Sequence, residues 1–154
     1  MMASKKLTDK QRWEQKFIEK AGTVHKRSLP RFAARMLKRT SSWKGGLSYR
    51  SKKKGVECTI TLEELREMMY GAYGQPCKYC GRTLDINNLV MDHILPISKG
   101  GNSNKDNLHV ICKTSNSMKG SLEEKHFFLL MEWLDTVSPE LKKDVSIRLA
   151  GGIY

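Results

Sequence analysis

Four polar residues between positions 92 and 116 have the types and spacing for hydrolytic chemistry. Asp92 and His93 are adjacent, Asn107 follows His93 by 14 residues, and Asn116 follows Asn107 by nine. An imidazole with an ordinary pKa of about 6.5 is largely neutral at pH 7, so His93 can take a proton from water. Asp92 and Asn116 offer hard oxygen donors, which suit Mg²⁺ or Mn²⁺ better than softer ions. Thiols flank the group: Cys77-Lys-Tyr-Cys80 precedes it and Cys112 lies within it. Lys99, Lys113 and Lys119 are available for phosphate contacts. Taken singly, each residue has an ordinary reading. An Asp-His dipeptide is usually a surface pair, an isolated Asn107 a turn residue, Asn116 a helix N-cap and Cys58 a small buried apolar residue.

The residues taken together are more specific. The sequence runs Cys77-Lys-Tyr-Cys80-Gly81, then Met91-Asp92-His93-Ile-Leu-Pro96-Ile-Ser-Lys99-Gly100-Gly101, then Asp106-Asn107-Leu108, Cys112 and Asn116-Ser-Met-Lys119-Gly120. From about Thr59 to Trp133 it resembles the HNH endonucleases, the ββα-metal nucleases of phage, homing, restriction and RNA-guided systems. The resemblance implies an α+β fold with a ββα-metal (His-Me finger) core. It also implies phosphodiester hydrolysis with His93 as the base, and Asp92 and Asn116 as holders of one ion. Asn116, where some relatives carry His, argues for magnesium. Asn107 takes the middle position of the motif, to which the resemblance gives the task of bracing the loop between the strands. In-line attack by water would leave 5′-phosphate and 3′-hydroxyl ends. One such site nicks one strand, so a double-strand break would need a homodimer, two successive nicks or a partner protein.

The cysteines depart from the family pattern. Many relatives with this first Cys-x-x-Cys carry a second, and the four thiolates bind structural Zn²⁺. Here the second pair reads Cys112-Lys-Thr-Ser115, and a hydroxyl is a poor zinc ligand. Three alternatives stay open for a zinc site on Cys77, Cys80 and Cys112. Cys58 or His109 supplies the fourth ligand, water fills it, or the site has lost zinc and persists through packing.

The elements that must position these residues are marked by caps and periodicity. Thr8-x-x-Gln11 is a capping-box pattern that opens a helix to about Ala21, stopped by Gly22. A basic helix is predicted over Pro30 to Thr40, with Phe32, Met36 and Leu37 near one face. Ser41 to Gly55, with Lys44, Arg50 and Lys52-Lys53-Lys54 among Gly and Ser, reads as a flexible or DNA-ordered linker. Cys58 to Ile60 is a strand candidate. Thr61-x-x-Glu64 caps a helix carrying Leu62, Leu65, Met69 and Tyr70. Strands are predicted over Leu89 to Met91 and Leu108 to Cys112, with a Gly-Gly loop between. Ser121-x-x-Glu124 is a third capping box, before an apolar helix through Trp133. Ser138-Pro139 opens a last short helix that Gly151-Gly152 ends. The divisions that follow are a basic arm and linker over 1–56, a nuclease domain over 57–137, and a C-terminal helix and tail over 138–154.

Charge separates the same regions. Seventeen Lys and Arg face three acids (Asp9, Glu14, Glu19) up to Val56, and 11 face 13 from Glu57 onward, out of a formal net charge of +12. A concentrated basic arm calls for a polyanion, because neutralising phosphates releases condensed counterions. The expected DNA contacts in the arm are Arg31, Arg35, Lys38, Arg39, Lys44, Arg50, Lys52, Lys53 and Lys54, with double-stranded DNA as the partner. Leu29-Pro-Arg-Phe and the basic stretch after it also resemble the N-terminal extension of some phage HNH proteins. No apolar run approaches the roughly 20 residues of a membrane span. Met1 to Lys6 lacks the apolar stretch of a signal peptide, so a cytoplasmic location is expected, in a bacterial host if the chain is phage-encoded. In that reducing compartment the four cysteines are expected as thiols or metal ligands rather than disulfides.

Two other functions compete. A nucleic-acid-binding module could keep the fold without the reaction, but a decayed site should have lost the base or a ligand, and all are present. A basic RNA-binding protein of the ribosomal kind fits the pI near 9.7 but not the near-neutral C-terminal part or the motif.

Overall fold

The computed structural model describes residues 6–22 and 28–152. Residues 1–5, part of the stretch read above for an export signal, lie outside the described residues. The chain builds α1 (Asp9–Ala21), α2 (Leu29–Lys54), α3 (Leu62–Ala72), β1 (Leu89–His93), β2 (Leu108–Cys112), α4 (Lys113–Lys119), α5 (Glu124–Thr136) and α6 (Pro139–Leu149). This is an α+β arrangement with a single antiparallel two-stranded sheet among the described residues. Among the described residues no helix is long and apolar enough to cross a membrane.

The first and third helices start where their caps place them. Thr8 and Gln11, and Thr61 and Glu64, each close a reciprocal capping box that satisfies backbone N–H groups otherwise orphaned at the helix start. Behind the first cap, Trp13, Phe17 and Ala21 repeat at helical spacing and are buried.

The second helix corrects the linker expected over Ser41 to Gly55. α2 continues without a break to Lys54 and ends at Gly55, which adopts the left-handed conformation. Its buried line runs Ala33, Met36, Thr40, Leu47 and Ser51, steps of three, four, seven and four that stay on one helix face. The apolar anchors beyond Thr40 are sparse, yet Leu47 is completely buried. Burying such a side chain contributes about 1.5–3 kcal/mol, which offsets the roughly 1 kcal/mol that each of Gly45 and Gly46 costs a helix.

Two cores result. The larger joins α1, the first half of α2, Met69, Leu89, Ile111, Met118, Phe127 and Leu134. The smaller gathers Leu47, Ile60, Leu65, Met91 and Leu108 beneath the second half of α2. The strand expected at Cys58 to Ile60 is instead an irregular extended segment. It clasps the loop between the strands through Ser103 N–H to the Glu57 carbonyl (2.8 Å) and Ile60 N–H to the Ser103 carbonyl (3.1 Å). The capping box expected at Ser121 is also corrected. Glu123 is the N-cap of α5 and makes no side-chain cap bond. The Glu124 carboxylate accepts instead from Lys78 Nζ (2.6 Å) and Tyr79 Oη (2.9 Å). Ser138 caps α6 as expected, accepting from Leu141 N–H.

Candidate active site

β1 and β2 pair so that Asp92 faces His109 and His93 faces Leu108. Side chains alternate across a strand. Leu89, Met91 and His93 therefore lie on the buried face, Leu89 in the larger core and Met91 in the smaller, and Asp92 on the other face. Asp92 and His93 thus flank the end of one strand. α4 follows β2 with no intervening loop and packs against both strands. Asn116 sits in the middle of this helix rather than at its N-cap, which is Cys112.

The Asp92 carboxylate is held from two sides. Its Oδ2 accepts from His109 Nε2 at 3.1 Å and pairs with Lys119 Nζ at 2.9 Å. Burial alone would raise the Asp92 pKa, but the bonds from His109 and Lys119 and the Lys119 charge outweigh it, and the pKa lies below the ordinary value. Both contacts use Oδ2, so Oδ1 takes part in neither. Lys119 also donates to the His93 carbonyl at 2.8 Å. This corrects its expected role as a phosphate contact. Lys119 is 1% exposed, and its ammonium is committed to the end of β1.

His93 is shifted the same way for different reasons. Burial, and then the charge of Arg50, lower its pKa, so the imidazole is neutral at pH 7. Its Nε2 lies 2.9 Å from Ser103 Oγ. The following loop is fastened by Asn107, whose Nδ2 donates to the carbonyls of Leu95 (3.1 Å) and Asn102 (2.8 Å) while its Oδ1 accepts from Leu95 N–H (2.8 Å). Gly101 makes this closure possible. A Cβ there would stand 1.9 Å from the Leu95 carbonyl oxygen and 2.9 Å from Asn107 Nδ2, so no other residue fits.

The sulfurs form a second constellation. Cys77, Cys80 and Cys112 Sγ all lie within 4.8 Å of one another, with Cys80 and Cys112 at 3.5 Å. A tetrahedral zinc ion with Zn–S bonds of about 2.3 Å sets S···S edges of roughly 3.8 Å, so these sulfurs fit three corners. Ser115 Oγ lies beside two of them, 3.3 Å from Cys112 Sγ and 3.6 Å from Cys77 Sγ. Contacts with Cys112 and Cys80 hold the Cys77 thiol well below its ordinary value, while contacts with Cys77 and Cys80, and burial, push Cys112 up. The cluster therefore favours carrying a thiolate, the form that ligates metal. Two alternatives for the fourth ligand are corrected. Cys58 packs against the small core beside Ser48, and His109 is turned to Asp92.

Of the arm residues expected at DNA, Arg31, Arg35, Lys38, Arg50, Lys52, Lys53 and Lys54 are exposed, as are Lys99 and Lys113. Two others are partly committed to the fold. Arg39 donates to the Ile86 carbonyl at 2.6 Å, and Lys44 donates to the Ile60 carbonyl at 2.6 Å. Lys99 also pairs with Glu123 at 3.4 Å.

Sequence reasoning missed Ser103 and Ser51, and it named His109 only as an alternative zinc ligand and Lys119 only as a phosphate contact, not as partners of Asp92. Only His109 left a signal. Pairing the two expected strands antiparallel across the Gly-Gly loop places a His opposite the acid. The buried amine of Lys119 and the two serines have no signature in residue type, because Lys and Ser are ordinarily exposed.

Comparison with curated proteins and with solved structures gives no match. The family model for HNH endonuclease matches residues 77–122, the stretch from the first cysteine pair through both strands, the loop between them and α4. Over this segment, and there alone, the chain is similar to the HNH endonuclease family.

Proposed function

We propose that this protein is a metal-dependent DNA endonuclease with a ββα-metal core formed by β1, β2 and α4. The observation that carries the reading is the placement of Asp92 and His93 side by side at the end of β1, with α4 and its Asn116 packed against both strands. Asp92 is kept ionised and His93 is kept neutral, side by side. Groups tuned in this way suit an oxygen ligand beside a general base.

On this reading Asp92 and Asn116 hold one Mg²⁺ or Mn²⁺ ion, which when bound supplies charge neutralisation at the phosphate and the departing oxygen. His93 takes a proton from water, the water oxygen bonds to phosphorus, and the bond to the 3′ oxygen breaks. The 3′ oxygen takes a proton from solvent, leaving 3′-hydroxyl and 5′-phosphate ends. Lys119 and His109 keep Asp92 charged and oriented, and Asn107 keeps the loop beside His93 closed. Cys77, Cys80 and Cys112, with Ser115 beside two of them, are the candidate holders of a structural Zn²⁺.

α2 supplies the DNA-binding surface. Arg31, Arg35, Lys38, Tyr49 and Lys53 fall on one stripe of helical spacing, opposite the buried line. Tyr49, 68% exposed, adds an aromatic face to that stripe. At 26 residues and about 1.5 Å per residue, the helix is roughly 39 Å long. Relaxation of supercoiled plasmid in Mg²⁺, Mn²⁺ or EDTA, wild type beside His93→Ala, tests the reading. Metal-dependent nicking lost in the variant is expected. Tight binding of duplex DNA without cutting in either metal would favour a binding module that keeps the fold without the reaction.

A further inference from the structure

A neutral imidazole has one N–H and one lone pair, so a base is useful only in the correct tautomer. We propose that Ser103 and Ser51 form a hydroxyl relay that fixes His93 with its proton on Nε2 and leaves Nδ1 as the basic nitrogen, which makes α2 a positioning element of the active site. The role rests on the nuclease reading, whereas the relay itself is a property of the folded chain.

The geometry is continuous and dry. His93 Nε2 lies 2.9 Å from Ser103 Oγ, and Ser103 Oγ lies 2.7 Å from Ser51 Oγ. Ser103 is fully buried and Ser51 is 1% exposed, so water cannot readily replace either partner. Ser103 is also clamped through its backbone, between the Glu57 carbonyl and the Ile60 N–H. Its hydroxyl therefore stands at a fixed point beside the ring.

A hydroxyl has one hydrogen to give. If Ser103 gave it to Nε2, Nδ1 would carry the ring proton and have no lone pair for water. Ser51 Oγ offers that hydrogen another acceptor, which leaves the Ser103 lone pairs free to receive Nε2–H. When Nδ1 takes a proton, the same Nε2–H···Oγ bond becomes charge-assisted and strengthens without movement. The relay thus serves the ring in both states. Ser51 lies on the buried line of α2 and Arg50, the preceding residue, on its exposed surface, so one helix turn supports the base and presents a cation near it.

Long-range ¹H–¹⁵N correlation of the His93 ring, in the full chain and at a pH where the ring is neutral, tests the proposal. A single Nε2–H tautomer is expected in the wild type and a mixture in Ser103→Ala. In plasmid cleavage with Mg²⁺, Ser103→Ala should lower kcat by about 10- to 100-fold with KM changed by less than about twofold. Ser103→Thr, which restores the hydroxyl, should recover both readouts. Ser51→Ala should also loosen the tautomer, and adding it to Ser103→Ala should produce no further loss, because the two act in series. If Ser103→Ala does not fold, Ser51→Ala carries the ring measurement alone. A wild-type Nδ1–H tautomer, or a ring unchanged by both substitutions, overturns the relay. The ring spectrum needs neither substrate nor metal. A fixed tautomer in an inactive protein therefore upholds the relay and rejects the nuclease reading, and cleavage by a ring of mixed tautomer does the reverse.

Discussion

A carboxylate buried to the extent of Asp92, whose side chain is 12% exposed, stays ionised only if its surroundings replace lost hydration. His109 and Lys119 together supply that replacement, and Lys119 is itself 1% exposed. Breaking a buried pair such as Asp92 with Lys119 by removing one partner leaves the other buried and unpaired, which costs about 3–5 kcal/mol. Lys119→Ala should therefore lose that much stability in urea unfolding, whereas Asp92→Asn with Lys119→Met should lose far less. The pH dependence follows from the depressed Asp92 pKa. A group whose pKa falls on folding stabilises the native state fully above its unfolded pKa, about 3.9 for Asp. That contribution disappears as pH drops through the folded value. In EDTA, the stability difference between wild type and Asp92→Asn should hold at neutral pH and shrink progressively below about pH 4. A difference that grew on acidification would reverse the assignment. Ser115 gives a second residue-level prediction. Ser115→Cys supplies a fourth thiolate beside three sulfurs already gathered, so it should retain zinc against a chelator better than the wild type, read as zinc bound per chain. Equal retention would mean that the cluster does not coordinate zinc through that residue.

At the scale of elements, α2 shows how the sequence was both readable and deceptive. Its glycines, Gly45 and Gly46, adopt no positive φ, and a Cβ on either would meet nothing within 4 Å. Gly45→Ala and Gly46→Ala should each stabilise the chain by about 0.5–1 kcal/mol, measured by chemical unfolding. Destabilisation by both would argue against a continuous α2. The same glycines, with Ser and Lys, masked the helix in the sequence. Composition over Ser41 to Gly55 has the character of a linker, and only Leu47 and Ser51 continue the buried line set by Met36 and Thr40. The capping boxes at Thr8 and Thr61 were legible because each needs only local residues. The box at Ser121 failed because Glu124 has better partners, Lys78 and Tyr79, 46 and 45 residues away in sequence. The site divides in the same way. Asp92, His93, Asn107 and Asn116 became candidates through residue type, spacing and the family resemblance, whereas His109, Lys119 and Ser103 are brought beside Asp92 and His93 by strand register and burial.

At the scale of the molecule, the +12 formal charge is concentrated towards one end, and the fold sorts it further by exposure. Lys119 is buried, and Arg39 and Lys44 each donate to a carbonyl, whereas Arg31, Lys38 and Lys53 remain exposed on one stripe of α2. For a chain that binds duplex DNA through that stripe, the logarithm of affinity should fall linearly with the logarithm of salt concentration. Each phosphate contact adds about 0.9 to the slope. Arg31→Gln, Lys38→Gln and Lys53→Gln should each reduce the slope by roughly that amount and weaken all duplexes alike, because a phosphate contact carries no sequence information. Fluorescence anisotropy over a salt series, with two unrelated duplexes, measures both quantities. Arg50 should behave differently, since its charge reaches His93. Arg50→Gln should reduce the slope and also lower kcat, whereas the three stripe variants should alter binding alone. Unchanged slopes for all three would place the DNA on another face and leave the charge of α2 as a solvated surface.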